Sequence, residues 1–259
     1  MEQSIVMPYW QVLAASVCGT SHVKNNLLCQ DAHRFSILPD NVLVAVVADG
    51  AGSASQGKVG AMLATEAVVE NISLAEIAFS TFGDDKLICS LLADAMLAAL
   101  KALESEASAA SLPVSDFATT LIIVVASPNV VAVAQIGDGA AVAKNSQGDL
   151  IALTLPDIGE YMNETTFLTS FGALDTAQVR VWREDIVNVA VFTDGLQLLA
   201  MNMAISEPHK PFFQPLFDFV TNAEDKMVAS EQLVGFLRSD RITQRTDDDL
   251  TLVLAALRG

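Results

Sequence analysis

Apolar residues along this chain fall mostly into blocks of strand length, and only four stretches have the length and spacing of helices. YWQVLAASV (9–17), AHRFSIL (32–38) and VLVAVVA (42–48) are short and rich in β-branched residues, which predicts strands. Between the first two lies a polar loop reaching Gln30-Asp31. The segment 54–72 then sets Val59, Met62, Leu63, Ala67 and Val68 close to helical spacing, with Ser53 or Ser55 as candidate N-caps. A long Ala/Leu-rich stretch, 86–110, predicts a second helix packed on a sheet.

The middle of the chain is strand after strand: FATTLIIVVAS, NVVAVAQIG, AAVAKN, DLIALTL, AQVRVWR and IVNVAVFT. Turn signals at Pro128-Asn129, Asp138-Gly139 and Gln147-Gly148-Asp149 separate them, so the spacing predicts an antiparallel meander. Two further helices are expected within 211–238, and LTLVLAAL supplies a last strand. Many strands and two pairs of helices imply an α+β chain with two packed sheets and helices outside.

Three of the predicted strands stop on Asp-Gly: Asp49-Gly50, Asp138-Gly139 and Asp194-Gly195. A carboxylate fixed where a buried strand ends aims charge at a shared point. Gly50 leaves its backbone free for conformations other residues resist and its carbonyl open to a ligand. Asp248, in TDDDLTLVLA, sits just before the last strand. Such oxygen donors suit Mg²⁺ or Mn²⁺, and a pair of these ions can activate a water and clamp a phosphoryl group. Asp-Gly also favours hairpin turns, and Asp138-Gly139, between two apparent strands, fits that alternative best.

The chain has 259 residues, long for one domain but without a linker or charge block to divide it, so a single domain over 1–259 is expected. At 52% hydrophobic and 17% charged it has material for a large core. The net charge of −17, from 31 acids against 14 bases, argues against a nucleic-acid backbone or an anionic membrane as partner. Three cysteines, Cys18, Cys29 and Cys89, leave one over and form no disulfide framework. The start, MEQSIVMPYW, has an acid where a secretory signal needs basic residues, and no apolar run approaches the roughly 18 residues of a membrane span. A soluble, cytoplasmic protein is expected.

In order, GTSHVKNNLLCQDAH, VVADGAGSASQGKVGA, ATTLIIVVA, AQIGDGAAVA, VFTDGL and DDDLTLVLA resemble the metal-dependent protein phosphatase 2C family in its compact bacterial form, over about 14–256. The resemblance implies a four-layer αββα sandwich with a two-metal site at one end. It implies a monomeric phosphoserine/phosphothreonine protein phosphatase using Mn²⁺ or Mg²⁺, with a metal-bridged water as nucleophile and a phosphorylated protein as substrate. By the same resemblance, Asp49 bridges two ions, Gly50 lends its carbonyl, and Asp194 and Asp248 complete the set. Asp31 matches the second residue of the family's Glu-Asp pair, which holds metal-bound water; Asp138 matches an aspartate that joins Asp194 around a weaker third ion.

Four departures stand out. Gln30 replaces the Glu of that pair, Ala51 stands where eukaryotic members often carry a general-acid His, and Gly-Asp-Gly replaces Gly-Asp-Ser. The substrate-phosphate Arg aligns with Asn26, leaving His22 and Lys24 as nearby substitutes. These losses keep open a catalytically weak or inactive relative that binds phosphoproteins as a regulator. The D-x-D-x-T of Asp247, Asp249 and Thr251 matches the haloacid-dehalogenase-like phosphatases, but it precedes the final strand instead of following an early one. Cys18, His22 and Cys29 fit no zinc spacing and read as buried thiols beside a loop histidine. His33 is expected beside the sheet, Gly57 and Gly60 at close helix packing, and Trp10 and Trp182 in the core or at a sheet edge. Segments 156–175 and 201–221 are candidate substrate-facing flaps.

Overall fold

Residues 42–48, 121–127 and 130–136 are buried without interruption, because the strands they form are covered on both faces. The computed structural model describes residues 8–75, 82–155 and 165–259; the sequence readings of the N-terminal start and of the first part of the 156–175 flap lie outside them. One sheet contains β2 (Asp31–Leu38), β3 (Val42–Asp49), β4 (Leu121–Ser127), β5 (Val130–Ile136) and β8 (Gln178–Trp182), in the order β2-β3-β4-β5-β8. The other contains β1 (Tyr9–Val17), β6 (Ala140–Asn145), β7 (Leu150–Ala152), β9 (Ile186–Phe192) and β12 (Leu250–Arg258), in the order β1-β12-β9-β6-β7. Every pairing within these sheets is antiparallel.

Side chains alternate across each strand, and the alternation sorts the core into three layers. Leu43, Val47, Val124, Val133, Val191 and Val253 meet Trp10 between the two sheets. Val44, Val46 and Ala48 of the same β3 face the helices α2 (Gly57–Leu74) and α3 (Asp85–Ala110) through Ala61, Val68, Leu92 and Ala99. On the far side, Leu13, Ala15, Leu252 and Leu254 pack on Phe213, Phe217 and Leu233 of α6 (Lys210–Asn222) and α7 (Lys226–Leu237). The result is helix, sheet, sheet, helix, as the family resemblance implies. Short helices α1 (Thr20–Lys24), α4 (Ala173–Thr176), α5 (Gln197–Ala200) and α8 (Asp240–Thr243), with a small hairpin of β10 (Met201–Asn202) and β11 (Glu207–Pro208), complete the described α-helices and strands.

Four local expectations change. The central strands are no simple meander, since β5 pairs with β4 and β8 while β6 pairs with β7 and β9 in the opposite sheet. The chain crosses between sheets at Gly137, whose φ of +104° only glycine adopts without strain, so Asp138-Gly139 is not a hairpin tip. Helix α2 begins without a side-chain cap on Gln56; Ser55 instead donates to Asp116 Oδ2. Residues 201–221 form the small hairpin and most of α6, whose Phe213 and Phe217 are core residues, so this stretch is part of a helix layer and no flap.

Trp10 is fully buried, donating from Nε1 to the Asn41 carbonyl, and Trp182 lies half-buried on edge strand β8. His33 accepts or donates through Nδ1 at 2.8 Å from Ser16 Oγ, tying β2 of one sheet to β1 of the other. Gly57 and Gly60 are sites of close packing: a Cβ on Gly60 would overlap the Phe117 carbonyl oxygen. Gly60→Ala therefore sets a helix-propensity gain of at most about 1 kcal/mol against a backbone overlap of about 1–3 kcal/mol. The overlap should win, lowering the thermal midpoint by several degrees in a melt followed by circular dichroism. Gly52→Ala, with nothing near its Cβ position, should leave the midpoint unchanged.

Candidate functional site

The antiparallel register of β2 and β3 sets Asp31 directly opposite Asp49, so the first residue of one strand and the last of the next bring two carboxylates together. Asp194 follows β9 across the sandwich and opens a 3₁₀ turn, while Asp248 stands two residues before β12, the neighbour of β9. The two sheets are tied here by hydrogen bonds. Thr193 Oγ1 donates to Asp31 Oδ2 at 2.7 Å, and the Thr251 N–H donates to Thr193 Oγ1 at 3.0 Å. Four aspartates from four chain segments thus converge on one end of the sandwich.

Their electrostatics record the crowding. Burial pushes the Asp31 carboxyl up to about 7. Asp194 is pushed up to about 7 by burial and then by the charges of Asp138 and Asp248. Asp49 is raised well above the ordinary carboxylate value by burial, followed by Asp31, Asp194 and Asp248. Asp248 is raised as well, by partial burial and by the charge of its neighbour Asp249. Like charges in a poorly solvated space favour protons or cations, and both remedies act on the same oxygens. Asp31 Oδ1 and Gln30 Oε1 are buried with no hydrogen-bond partner.

The backbone carrying Asp49 is fixed by neighbours that the sequence reading had not singled out. The Asp49 N–H donates to Thr120 Oγ1, and its carbonyl accepts from the Thr120 N–H and Thr119 Oγ1. Gly50 does not adopt a left-handed conformation. Its lack of a side chain is needed because Gly57, at the start of α2, lies against it, and a Cβ would overlap the Gly57 backbone. The sequence signal for this role is the pair of glycines itself.

Asp138 lies within electrostatic reach of Asp194, as its effect on that carboxyl shows, and its Oδ2 accepts from Thr165 Oγ1 at 2.7 Å. Its carbonyl accepts from Gln197 Nε2 at 3.2 Å, which links it to the segment that follows Asp194.

Asp249, set aside in the sequence as part of an unrelated motif, has a defined place. Fully buried, it accepts from the Gly19 N–H at 2.6 Å, the Gln30 N–H at 2.6 Å and His22 Nδ1 at 2.9 Å. It holds the loop from β1 through α1 to β2, and with it the residue before Asp31. Nδ1 of His22 is therefore engaged, whereas Lys24 on α1 is exposed and makes no ion pair among the described residues. The metal-like cluster that the structure assembles is Cys18, His22 and Asp249, in place of Cys18, His22 and Cys29. Three donors already occupy the Asp249 carboxylate, and burial pushes the Cys18 thiol up, so the group is a hydrogen-bonded post. Cys18 and Cys29 are half-buried, not sealed in the core. Asp247 lies exposed before β12, and Thr251 bonds Ser16 within the sheet, so the D-x-D-x-T spelling builds no nucleophile site.

Comparison with known proteins bears on this geometry. A family model described as "Protein phosphatase 2C" matches residues 18–238. Serine/threonine-protein phosphatase 3 of Escherichia coli (strain K12) is 40% identical over 253 residues, covering 95% of this chain and 98% of that protein. The structure of the serine/threonine phosphatase Stp1 from Staphylococcus aureus matches with a TM-score of 0.64 at 14% identity, over 99% of this chain and all of that one (100%). The catalytic domain of the serine/threonine protein phosphatase PstP, solved in complex with 2 manganese ions, matches with a TM-score of 0.63 at 15% identity, over 98% of this chain and 100% of that one. With its two antiparallel sheets between helices, its aspartates gathered at one end and its match along most of the sequence, the chain belongs to the protein phosphatase 2C family.

Proposed function

We propose that this chain is a divalent-cation-dependent phosphatase of phosphoserine and phosphothreonine in proteins, its catalytic domain spanning 1–259 and acting in the cytoplasm as a monomer. The observation that carries this reading is the convergence of Asp31, Asp49, Asp194 and Asp248, all with raised pKa, around oxygens that include the unpartnered Asp31 Oδ1. A set of oxygen donors this acidic and this crowded fits Mn²⁺ or Mg²⁺. Asp49, the Gly50 carbonyl, Asp194 and Asp248 would hold two ions, and Asp138 with Asp194 a weaker third. When bound, the ions supply an activated water as nucleophile and neutralise charge on the phosphoryl group.

The chain's own residues do the positioning. Asp31, held at Oδ2 by Thr193, keeps Oδ1 free to accept a hydrogen bond from the attacking water and orient it. Gln30 offers a neutral carbonyl beside it, with one negative charge fewer than a glutamate would bring. Asp249 fixes the Gln30 backbone and so the approach of this pair. Ala51 carries no proton donor, and the leaving oxygen takes its proton from solvent. Lys24 is the one Lys or Arg of the α1 loop and the candidate for drawing in the substrate phosphate. No helix among the described residues is long and apolar enough to cross a membrane. No feature of the site specifically favours the binding-only alternative.

Hydrolysis of p-nitrophenyl phosphate and of a phosphothreonine peptide should require Mn²⁺ or Mg²⁺. Asp49→Ala or Asp194→Ala should reduce it to background in a steady-state assay; full activity in excess chelator would overturn the proposal. Asp249→Ala should lower metal affinity or turnover about 10–100-fold, the range for residues that orient ligands from behind, and Mn²⁺ titration calorimetry separates the two effects.

The raised carboxyls also fix a pH dependence. With folded values of about 7 against an ordinary 3.8, Asp31 and Asp194 in the metal-free protein keep protons that the unfolded chain has released. Their contribution to stability is present below 3.8 and lost as pH rises through about 7. In chelator, the urea midpoint should therefore fall between pH 5 and pH 7.5, and by less in Asp194→Asn. Saturating Mn²⁺ should raise the midpoint more at pH 7.5 than at pH 5, because it binds the ionised forms.

A further inference from the structure

On the helix layer away from α2 and α3, a cavity of about 920 Å³ opens between α5, the β10–β11 hairpin, α6, α7 and α8. Leu199, Phe212, Phe219, Leu233, Phe236 and Ile242 make its apolar wall, and Leu198, 74% exposed, stands at the lip. A second cavity of about 340 Å³ follows it along the crevice between α6 and α7 and shares Phe219 and Gln232 with the first. The two cavities adjoin through these residues to form one groove, apolar in its larger part and mixed at its smaller end, where Asn222, Glu224 and Asp225 stand beside Phe219 and Val228.

The charges along this groove differ from end to end. Arg241 and Arg245 line the larger cavity, both exposed and neither in an ion pair among the described residues. Glu224 and Asp225 line the smaller one. In a chain of net charge −17, a mouth with two unpaired arginines is the place where an acidic group gains most. An extended peptide would press unpaired backbone amides against the apolar wall, whereas a helix satisfies its own backbone and presents only side chains.

We propose that this groove docks an amphipathic α-helix of a partner protein, with apolar side chains at i, i+3/i+4 and i+7 in the two cavities. Its acidic first turns lie at Arg241 and Arg245, and its basic last turns at Glu224 and Asp225. That distribution is also the one a helix dipole favours. The groove reaches the carboxylate cluster by two covalent routes. Asp194 leads through its 3₁₀ turn into α5, which carries Leu198 and Leu199, and Arg245 lies three residues before Asp248. A seated helix therefore touches both segments and shifts divalent-cation affinity; this second effect rests on the reading of Asp194 and Asp248 as metal ligands.

The test uses the full chain and a fluorescent synthetic helix with Leu at i, i+3, i+7 and i+10, Glu in its first two turns and Lys in its last two. Anisotropy should show saturable 1:1 binding. Exchanging the Glu and Lys blocks, or breaking the Leu spacing, should weaken it at least about tenfold. Arg241→Ala with Arg245→Ala, both surface changes, should weaken it similarly with no change in melting temperature, and Met203→Trp, which fills the cavity from the hairpin, should abolish it. Equal binding of the charge-exchanged helix, or binding untouched by these variants, would overturn the proposal. So would an apolar small molecule such as 1-anilinonaphthalene-8-sulfonate occupying the cavity while no helix binds. Mn²⁺ calorimetry with and without the helix should give affinities differing severalfold. Helix binding without that shift sinks the coupling alone, and helix binding to a chain that takes up no Mn²⁺ sinks the metal reading while leaving the docking site in place.

Discussion

The organising constraint of this molecule is the holding of like charges together. Asp31, Asp49, Asp194 and Asp248 repel one another, the first three in poorly solvated surroundings, and no flexible loop could keep them convergent. They are held because each stands at or within two residues of a strand end, and three of those strands, β3, β9 and β12, are buried along most of their length. Moving Asp49 by an ångström would move packed valines of β3 between two sheets and against α2 and α3. The Asp31–Asp49 register, the Thr193 bridge across the sheets and the Gly50–Gly57 contact all serve the same end. The packed sandwich holds the repulsion in place, and a cation at the cluster would relieve it.

Two adjacent and chemically identical residues show how position assigns role. Asp248 and Asp249 precede β12, where successive side chains point in opposite directions. Asp248 is exposed toward the acidic end of the sandwich, while Asp249 turns inward, where the Gly19 and Gln30 N–H groups and His22 surround it. The charge of the inner residue is met by three donors. The outer one has oxygens to offer because it is not so met. The charge of the inner aspartate also raises the carboxyl of the outer one, so the supporting post adds to the field that attracts a cation.

The layer structure was legible in the sequence because continuous apolar runs such as VLVAVVA and LIIVVA fit only strands covered on both faces, and β1, β3 and α3 lie where their patterns place them to within a residue. Three of the acids, Asp49, Asp138 and Asp194, could be named from where their strands stop, and Asp248 from where its strand begins. What hid was whatever depends on contacts between distant segments. Asp138-Gly139 looks like a hairpin locally, yet the glycine before it sends the chain across to the other sheet. Gly50 looks like a conformational device, but it is a spacing device, visible only once Gly57 is placed against it. Asp249 is indistinguishable from its neighbours until the loop it holds is folded over it.

The departures from the family pattern gain a common meaning from this electrostatic frame. Asn26, which by the family resemblance stands where a phosphate-binding arginine would, leaves Lys24 as the single Lys or Arg of the α1 loop, in a chain whose net charge is −17. A phosphate dianion nearing the bare carboxylate cluster would meet repulsion from the site and from the surface behind it. On the proposed mechanism, the ions that supply the reactive water would also supply most of the attraction for the substrate, since few side chains remain to do so. Gln30 acts in the same direction, because a neutral amide in place of a glutamate takes one negative charge out of the phosphate's path. Under that proposal, binding and chemistry would be carried by one set of aspartates, which would leave the protein little means of holding its substrate when the cation is gone.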